Sequence, residues 1–376
     1  MIPYGRQLIN EDDIEAVVEV LRSDYLTTGP KINEFENAIS EYVGTKYSIA
    51  LSSGTAALHS AMHAIGIGPG DEVILPPITF AATANCVVYQ GGTPVFADVE
   101  PETLLIDPIK VEKKITPKTK VIIGVDYAGQ PCDWNALRGI AKKHNLILVA
   151  DGCHALGAEY RGVKVGSLAD LTAFSFHPVK HITTGEGGMV TTDNQDWAEK
   201  IRMFRNHGIT TDHREREETG SWLYEMTDLG FNYRITDFQS ALGISQLKKL
   251  PDFLKKRRKI ADQYNTFFSS RESVKPLSVK TDRLHAYHLY VVKLHKDKEN
   301  SRQDVFNQLR KNGIGVNVHY IPVHMHPFYR KNFGYKAGDY PVAEKAFESI
   351  LSLPMFPSLK KNEIEHVIEN IRQIIF

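Results

Sequence analysis

Between Tyr47 and Thr192 the chain carries seven short apolar runs separated by longer mixed stretches: Tyr47–Leu51, Glu72–Leu75, Pro94–Ala97, Lys120–Val125, Leu146–Ala150, Leu171–Phe176 and Gly188–Thr192. Runs this short, and apolar nearly throughout, suit strands buried on both faces of a mostly parallel sheet. Helices are expected between them, over 55–65, 81–89, 133–143 and 195–206. The alternation selects an α/β layered fold with right-handed crossovers, whose ligand sits beyond the C-terminal ends of the strands.

Upstream, residues 11–22 and 33–43 read as amphipathic helices. The polar segment Ser23–Pro30 between them reads, on composition, as a plain connector. After about residue 250 the alternation weakens. A long charged helix to about 270 is expected to be followed by a strand at Tyr287–Lys293, a helix at 302–311, a strand at Gly315–Tyr320 and helices near 341–350 and 361–373. The expected division is a large domain over 1–250 and a smaller α+β domain over 251–376, since 376 residues exceed one simple core.

Lys+Arg and Asp+Glu both number 45, so no long-range field favours nucleic acid or an acidic membrane. The basic run at 255–259 reads as a solvated helix face opposite Leu254, Ile260 and Tyr264. Cys86, Cys132 and Cys153 show no CxxC spacing, the N-terminus has no basic flank before an apolar core, and no apolar run reaches the ~20 residues that span a bilayer. A soluble cytoplasmic protein without nucleic-acid or membrane partners is expected.

Three strand ends carry chemistry. Ser52-Ser53-Gly54-Thr55 opens a helix, where free N–H groups and the helix dipole favour a phosphate. Asp151 ends a buried strand and needs a cation or donor: a pyridinium nitrogen, a helix N-terminus or, with no ligand cluster at suitable spacing, least of all a metal. Lys180 lies on a tight link between two buried strands, where burial lowers an ammonium pKa and frees the amine to attack an aldehyde. Charged His177 and His181 would lower it further. Singly, each feature has an ordinary structural reading: an N-cap, a helix-capping carboxylate, a solvated or paired lysine. Together they are the three anchors that pyridoxal phosphate needs. His59, His63 and His144 read as ordinary helix histidines, and Gly66–Gly70 follows a helix, the wrong order for a dinucleotide loop.

In that setting Asp151-Gly-Cys-His154-Ala-Leu-Gly, Ser175-Phe-His-Pro-Val-Lys180 and Thr183-Thr-Gly-Glu-Gly-Gly188 resemble motifs of the DegT/DnrJ/EryC1/StrS family of sugar aminotransferases, over Tyr4 to Pro354. The resemblance implies the aspartate-aminotransferase-like fold (fold type I), with a mostly parallel seven-stranded sheet and a smaller α+β C-terminal domain. It implies pyridoxal 5'-phosphate as cofactor, with Lys180 as the Schiff-base lysine, Asp151 at the pyridine nitrogen, His154 beside the ring and Phe80 stacked on it. Gly54, Thr55 and Ser175 match phosphate contacts, and Asn232 matches a residue delivered by a neighbouring subunit, hence a homodimer with shared active sites. Tyr4, Asp24, Tyr25, Leu26, Thr27, His177, His319, Tyr320, Ile321 and Pro322 match positions lining a nucleotide-sugar site, which raises 24–27 above a bland connector.

Phe80-Ala-Ala-Thr-Ala-Asn85, Val125-Asp-Tyr-Ala-Gly129 and His154-Ala-Leu-Gly-Ala-Glu-Tyr160 most resemble the members of pseudaminic acid biosynthesis. These imply amino transfer from L-glutamate to C4 of a UDP-linked 4-keto-6-deoxy-N-acetylhexosamine. A dTDP-sugar or UDP-4-keto-pentose is the alternative substrate. Lys180 argues against the dehydratase relatives, which carry His there, and no DNA-binding segment precedes residue 11 to suggest a regulator. Lys180→Ala is expected to abolish the visible absorption of the cofactor-loaded protein and to lower turnover at least ~10³-fold; full turnover would overturn the assignment.

Overall fold

The computed structural model describes residues 1–211, 216, 220–295 and 301–375. Seven strands form the main sheet: β1 Tyr47–Leu51, β2 Glu72–Leu75, β3 Thr93–Phe96, β4 Thr119–Val125, β5 Ile147–Asp151, β6 Leu171–Ser175 and β7 Gly188–Thr192. Their order is β1-β7-β6-β5-β4-β2-β3. The pairs β2/β3, β2/β4, β4/β5 and β5/β6 are parallel, and β7 runs antiparallel to both neighbours. Consecutive residues such as Val121, Ile122 and Ile123, or Val73, Ile74 and Leu75, are all inaccessible to solvent. Both faces of the sheet are therefore core, the arrangement the apolar runs anticipate.

Helices Gly54–Ile65, Ala81–Tyr89, Trp134–His144 and Gln195–Phe204 lie within two residues of their expected spans. Trp134 packs on β4 because Gly124 leaves room; a Cβ there would stand 2.7 Å from the indole.

The position expected to divide the domains, residue 250, falls inside helix Asp237–Phe268. Around it the helix changes core. Leu247, Leu250 and Leu254 join Ile32, Phe35 and Phe176, whereas Ile260, Tyr264 and Phe268 join Val292, Leu351 and Val367. The basic run at 255–259 is not uniformly solvated. Arg257 is buried and donates to the backbone carbonyls of Tyr287, His288 and Met355.

A second, antiparallel sheet joins β8 Val274–Pro276, β9 Tyr290–Leu294 and β10 Ile350–Leu353. β9 starts later than expected because Tyr287 adopts a left-handed φ of 48°, which no strand accommodates. The strand expected at Gly315–Tyr320 is absent: only isolated bridges, Ile2↔Ile314 and Asn317↔Ser352, tie this stretch down. A strand would point alternate side chains to opposite faces. Here Asn317, Val318, His319 and Tyr320 all border one cavity. The third strand is instead β10, from residues whose start the sequence reading gave to a helix.

The 24–29 segment is fixed by Asp237, whose buried carboxylate accepts from the Gly29 N–H at 2.7 Å and the Lys31 N–H at 2.9 Å. Asp237→Ala is expected to lower stability by about 2 kcal/mol, because two backbone donors lose their acceptor. Urea unfolding monitored by fluorescence measures it, and an unchanged midpoint would contradict this anchoring.

Candidate active site

A cavity of about 490 Å³ opens at the C-terminal ends of β1, β2, β4, β5 and β6. This is where a parallel sheet exposes its loops and helix N-termini, and the volume suits a small molecule, for which roughly 300–1,000 Å³ is usual.

Asp151 ends β5, in register with Val125 of β4 and Ala173 of β6. The residue is 6% exposed. Oδ2 accepts from the Thr83 hydroxyl at 2.6 Å, and Oδ1 from the Cys153 N–H at 3.2 Å. Lys180, on the link between β6 and β7, is half-buried on the cavity wall and makes no side-chain hydrogen bond or ion pair among the described residues. Burial lowers its ammonium pKa, opposed by Cys153 and Asp151. His181 does not add the charge effect expected of it, because burial holds that ring neutral with a pKa well below the usual value.

The turn at the end of β1 places Ser53 as N-cap of helix Gly54–Ile65, its hydroxyl accepting from the Ala56 N–H at 3.0 Å. The N–H groups of Gly54 and Thr55, in the helix's first turn, have no intrahelical acceptor. Gly54 also meets a packing limit: a Cβ would stand 2.8 Å from the Ser175 Cβ. The turn and Ser175 therefore meet across one wall of the cavity.

His154 follows β5 and is buried. Its Nε2 lies 3.1 Å from the Tyr320 hydroxyl, while Nδ1 has no protein partner. The Tyr320 ring lies nearly parallel, with centroids 6.0 Å apart, and His288 packs at 4.3 Å. Burial, reinforced by Lys180 and neighbouring imidazoles, lowers the pKa of His154 well below the usual value, and burial takes His319 to about 3. Phe80 projects 59% exposed, 6.0 Å from Tyr320.

The cavity thus gathers Tyr4, Gly54, Thr55, Phe80, Asp151, His154, Ser175, His177, Lys180, His319 and Tyr320. It does not gather Asp24, Tyr25, Leu26, Thr27, Asn232, Ile321 or Pro322. The first five of these are exposed on their own chain. Asn232 is nevertheless close in the backbone, since Ser52 N–H donates to Tyr233 O at 2.8 Å.

Sequence reasoning missed Thr83, His288 and Asn317 among the lining residues. Thr83 had a signal: it stands three residues after Phe80 at a helix start, so the two share a face. His288 had none, because the Arg257 bonds that hold its backbone span 31 residues of sequence.

The residues present suit pyridoxal phosphate: an uncommitted amine, a carboxylate with spare acceptor capacity, a helix N-terminus and an orphaned buried imidazole nitrogen. Among the described residues no cluster could hold a metal ion.

Residues 7–372 match the DegT/DnrJ/EryC1/StrS aminotransferase family. The spore coat polysaccharide biosynthesis protein SpsC of Bacillus subtilis is 43% identical over 377 aligned positions, covering 100% of this chain and 97% of SpsC. Spr1654 of Streptococcus pneumoniae, solved in PMP and PLP forms, superposes with a TM-score of 0.93 for the PMP form at 35% identity, covering 99% of this chain and 98% of that one. Helicobacter pylori PseC, an aminotransferase involved in the biosynthesis of pseudoaminic acid, superposes with a TM-score of 0.93 at 33% identity, covering 100% of this chain and 99% of PseC.

In the cofactor-free protein, Lys180 should react with a small aldehyde, trapped by reduction, with a pH midpoint below that of exposed lysines, whose ordinary value is about 10.4. Peptide mass mapping across pH measures this. A midpoint equal to that of the surface lysines would contradict the lowered pKa.

Proposed function

The chain belongs to the DegT/DnrJ/EryC1/StrS aminotransferase family, and from that premise we propose that it transfers the amino group of L-glutamate to C4 of a UDP-linked 4-keto-6-deoxy-N-acetylhexosamine, giving UDP-4-amino-4,6-dideoxy-N-acetyl-β-L-altrosamine. The enzyme is a pyridoxal phosphate-dependent sugar aminotransferase. The observation that carries the chemistry is one cavity holding both the uncommitted Lys180 amine and the buried Asp151 carboxylate.

Bound pyridoxal phosphate supplies an aldehyde carbon that takes up amines and a ring that accepts the electron pair released at the donor Cα. Lys180 would hold the cofactor and, once freed, its Nζ moves the proton from the donor Cα. Asp151 would keep a proton on the ring nitrogen. The Gly54 and Thr55 N–H groups and the Ser175 hydroxyl would hold the phosphate. His154 and Phe80 would flank the ring, and the burial that lowers the Lys180 ammonium pKa favours the amine that proton transfer needs. Tyr4, His177, His319 and Tyr320 line the same cavity and would meet the sugar nucleotide.

Asn232 and 24–27 lie outside the cavity of their own chain, and we propose that they serve the site of a second copy in a homodimer. Trp222, Leu223, Tyr224, Met226 and Leu229 are each more than half exposed beside Phe231 and Asn232, an apolar patch of the kind that a second copy covers. The three cysteines are all free, which suits the cytoplasm, and among the described residues no helix is long and apolar enough to cross a membrane.

The resemblance to PseC supports the UDP-hexosamine substrate. SpsC, at higher identity, serves spore coat polysaccharide biosynthesis, so a second reading keeps another nucleotide-linked keto sugar, dTDP-linked or a UDP-4-keto-pentose, as the acceptor. Mixing the pyridoxamine-loaded enzyme with a panel of 4-keto sugar nucleotides separates them. The UDP-4-keto-6-deoxy-N-acetylhexosamine should restore the visible spectrum, and restoration by a dTDP-sugar alone would overturn the first reading. Mixing inactive Lys180→Ala with inactive Asn232→Asp should return about a quarter of wild-type activity, since half the dimers are mixed and each holds one intact shared site. No recovery would place Asn232 in its own chain's site.

A further inference from the structure

The buried donor of the Asp151 carboxylate belongs to no described role. Thr83 Oγ1 lies 2.6 Å from Asp151 Oδ2, and Thr79 Oγ1 lies 2.7 Å from Thr83 Oγ1. Thr83 and Thr79 are 0% and 2% exposed. A hydroxyl carries a single proton and an ionised carboxylate only accepts. Thr83 therefore donates to Asp151, and the second contact must run from Thr79 to Thr83. The result is a one-way chain, Thr79 to Thr83 to Asp151, in which each bond polarises the next.

We propose that Thr83, backed by Thr79, is a positioning residue for amino transfer: it fixes the Asp151 carboxylate in one rotamer, so that Asp151 can keep a proton on the cofactor's ring nitrogen. The inference rests on the Asp151 role in the proposed function. A carboxylate in an apolar layer stays ionised only if donors or cations replace its lost water. Asp151 has one donor on each oxygen. Asp126, one strand away at the end of β4, shows the alternative. It receives the Cys132 N–H and the Trp134 indole N–H on Oδ1 alone, Oδ2 has no partner, and burial pushes its pKa up to about 7. Thr83 supplies the Asp151 Oδ2 with a donor of the kind that the Asp126 Oδ2 lacks. Its place on helix Ala81–Tyr89, three residues from Phe80, ties the carboxylate to the element that carries the exposed aromatic.

The test uses whole enzyme loaded with pyridoxal phosphate labelled with ¹⁵N in the ring, comparing wild type, Thr83→Val, Thr83→Ser and Thr79→Val. The ring-nitrogen chemical shift of the wild type should be that of a protonated pyridine. In Thr83→Val it should move toward the unprotonated value, with kcat falling about 10- to 100-fold, the range for losing one hydrogen bond to a charged group, while KM for the sugar nucleotide holds within threefold. Thr83→Ser should restore both, and Thr79→Val should move the shift part of the way. A Thr83→Val enzyme with the wild-type shift and kcat overturns the inference alone. An unprotonated ring nitrogen in the wild type overturns the Asp151 role and the inference with it. Should Thr83→Val fail to bind cofactor, Thr79→Val decides: an unmoved shift overturns the chain.

Discussion

A carboxylate held in the apolar layer of a parallel sheet has to be matched by something, and the architecture around Asp151 is organised by that requirement. β5 lies at the centre of the sheet, so Asp151 emerges with strands on both sides, largely buried on the cavity wall. The elements that converge on it each follow a different strand. Thr83 comes from the helix after β2, the Ser53–Thr55 turn follows β1, and Lys180 follows β6. The parallel direction of these strands puts all of these ends on one edge. Lys180 and Asp151 influence each other electrostatically, yet among the described residues the lysine makes no ion pair, which leaves its amine available for chemistry.

The opposite wall comes from the C-terminal part of the chain. Residues Asn317–Tyr320 run irregularly along β10, where Ser352 accepts the Asn317 N–H and His319 Nδ1 meets the Ser352 hydroxyl at 2.8 Å. The buried Tyr127 hydroxyl donates to the His319 carbonyl, which binds this wall to the loop after β4. Arg257 performs the corresponding task for His288. The imidazoles supplied here are neutral near pH 7 because burial lowers their pKa values, so they add polarity without competing charge. In a wall of low dielectric, the remaining charges act more strongly than they would in water.

Much of this arrangement was legible in the sequence. The main-sheet strands announce themselves because burial on both faces leaves an unbroken apolar run, and polar residues directly after such runs mark the ligand edge. Asp151, Lys180 and the Ser53–Thr55 turn are visible for that reason. Less legible were features that depend on distant partners. Gly315–Tyr320 has strand-like composition, but its pairing stops at isolated bridges. Arg257 lies in a run that looks solvated, and only its three carbonyl acceptors reveal a buried cation. The 24–27 segment and Asn232 match a substrate and cofactor site by resemblance, whereas in a single chain they face outward.

The central claim is that Lys180 is the residue joined to the cofactor. Borohydride reduction of the pyridoxal phosphate-loaded enzyme, followed by proteolysis and mass spectrometry, tests it directly. The account predicts a pyridoxyl label confined to the peptide containing Lys180, with stoichiometry near one per chain. A label on a different lysine, or no stable label after reduction of a protein that binds the cofactor, would contradict it.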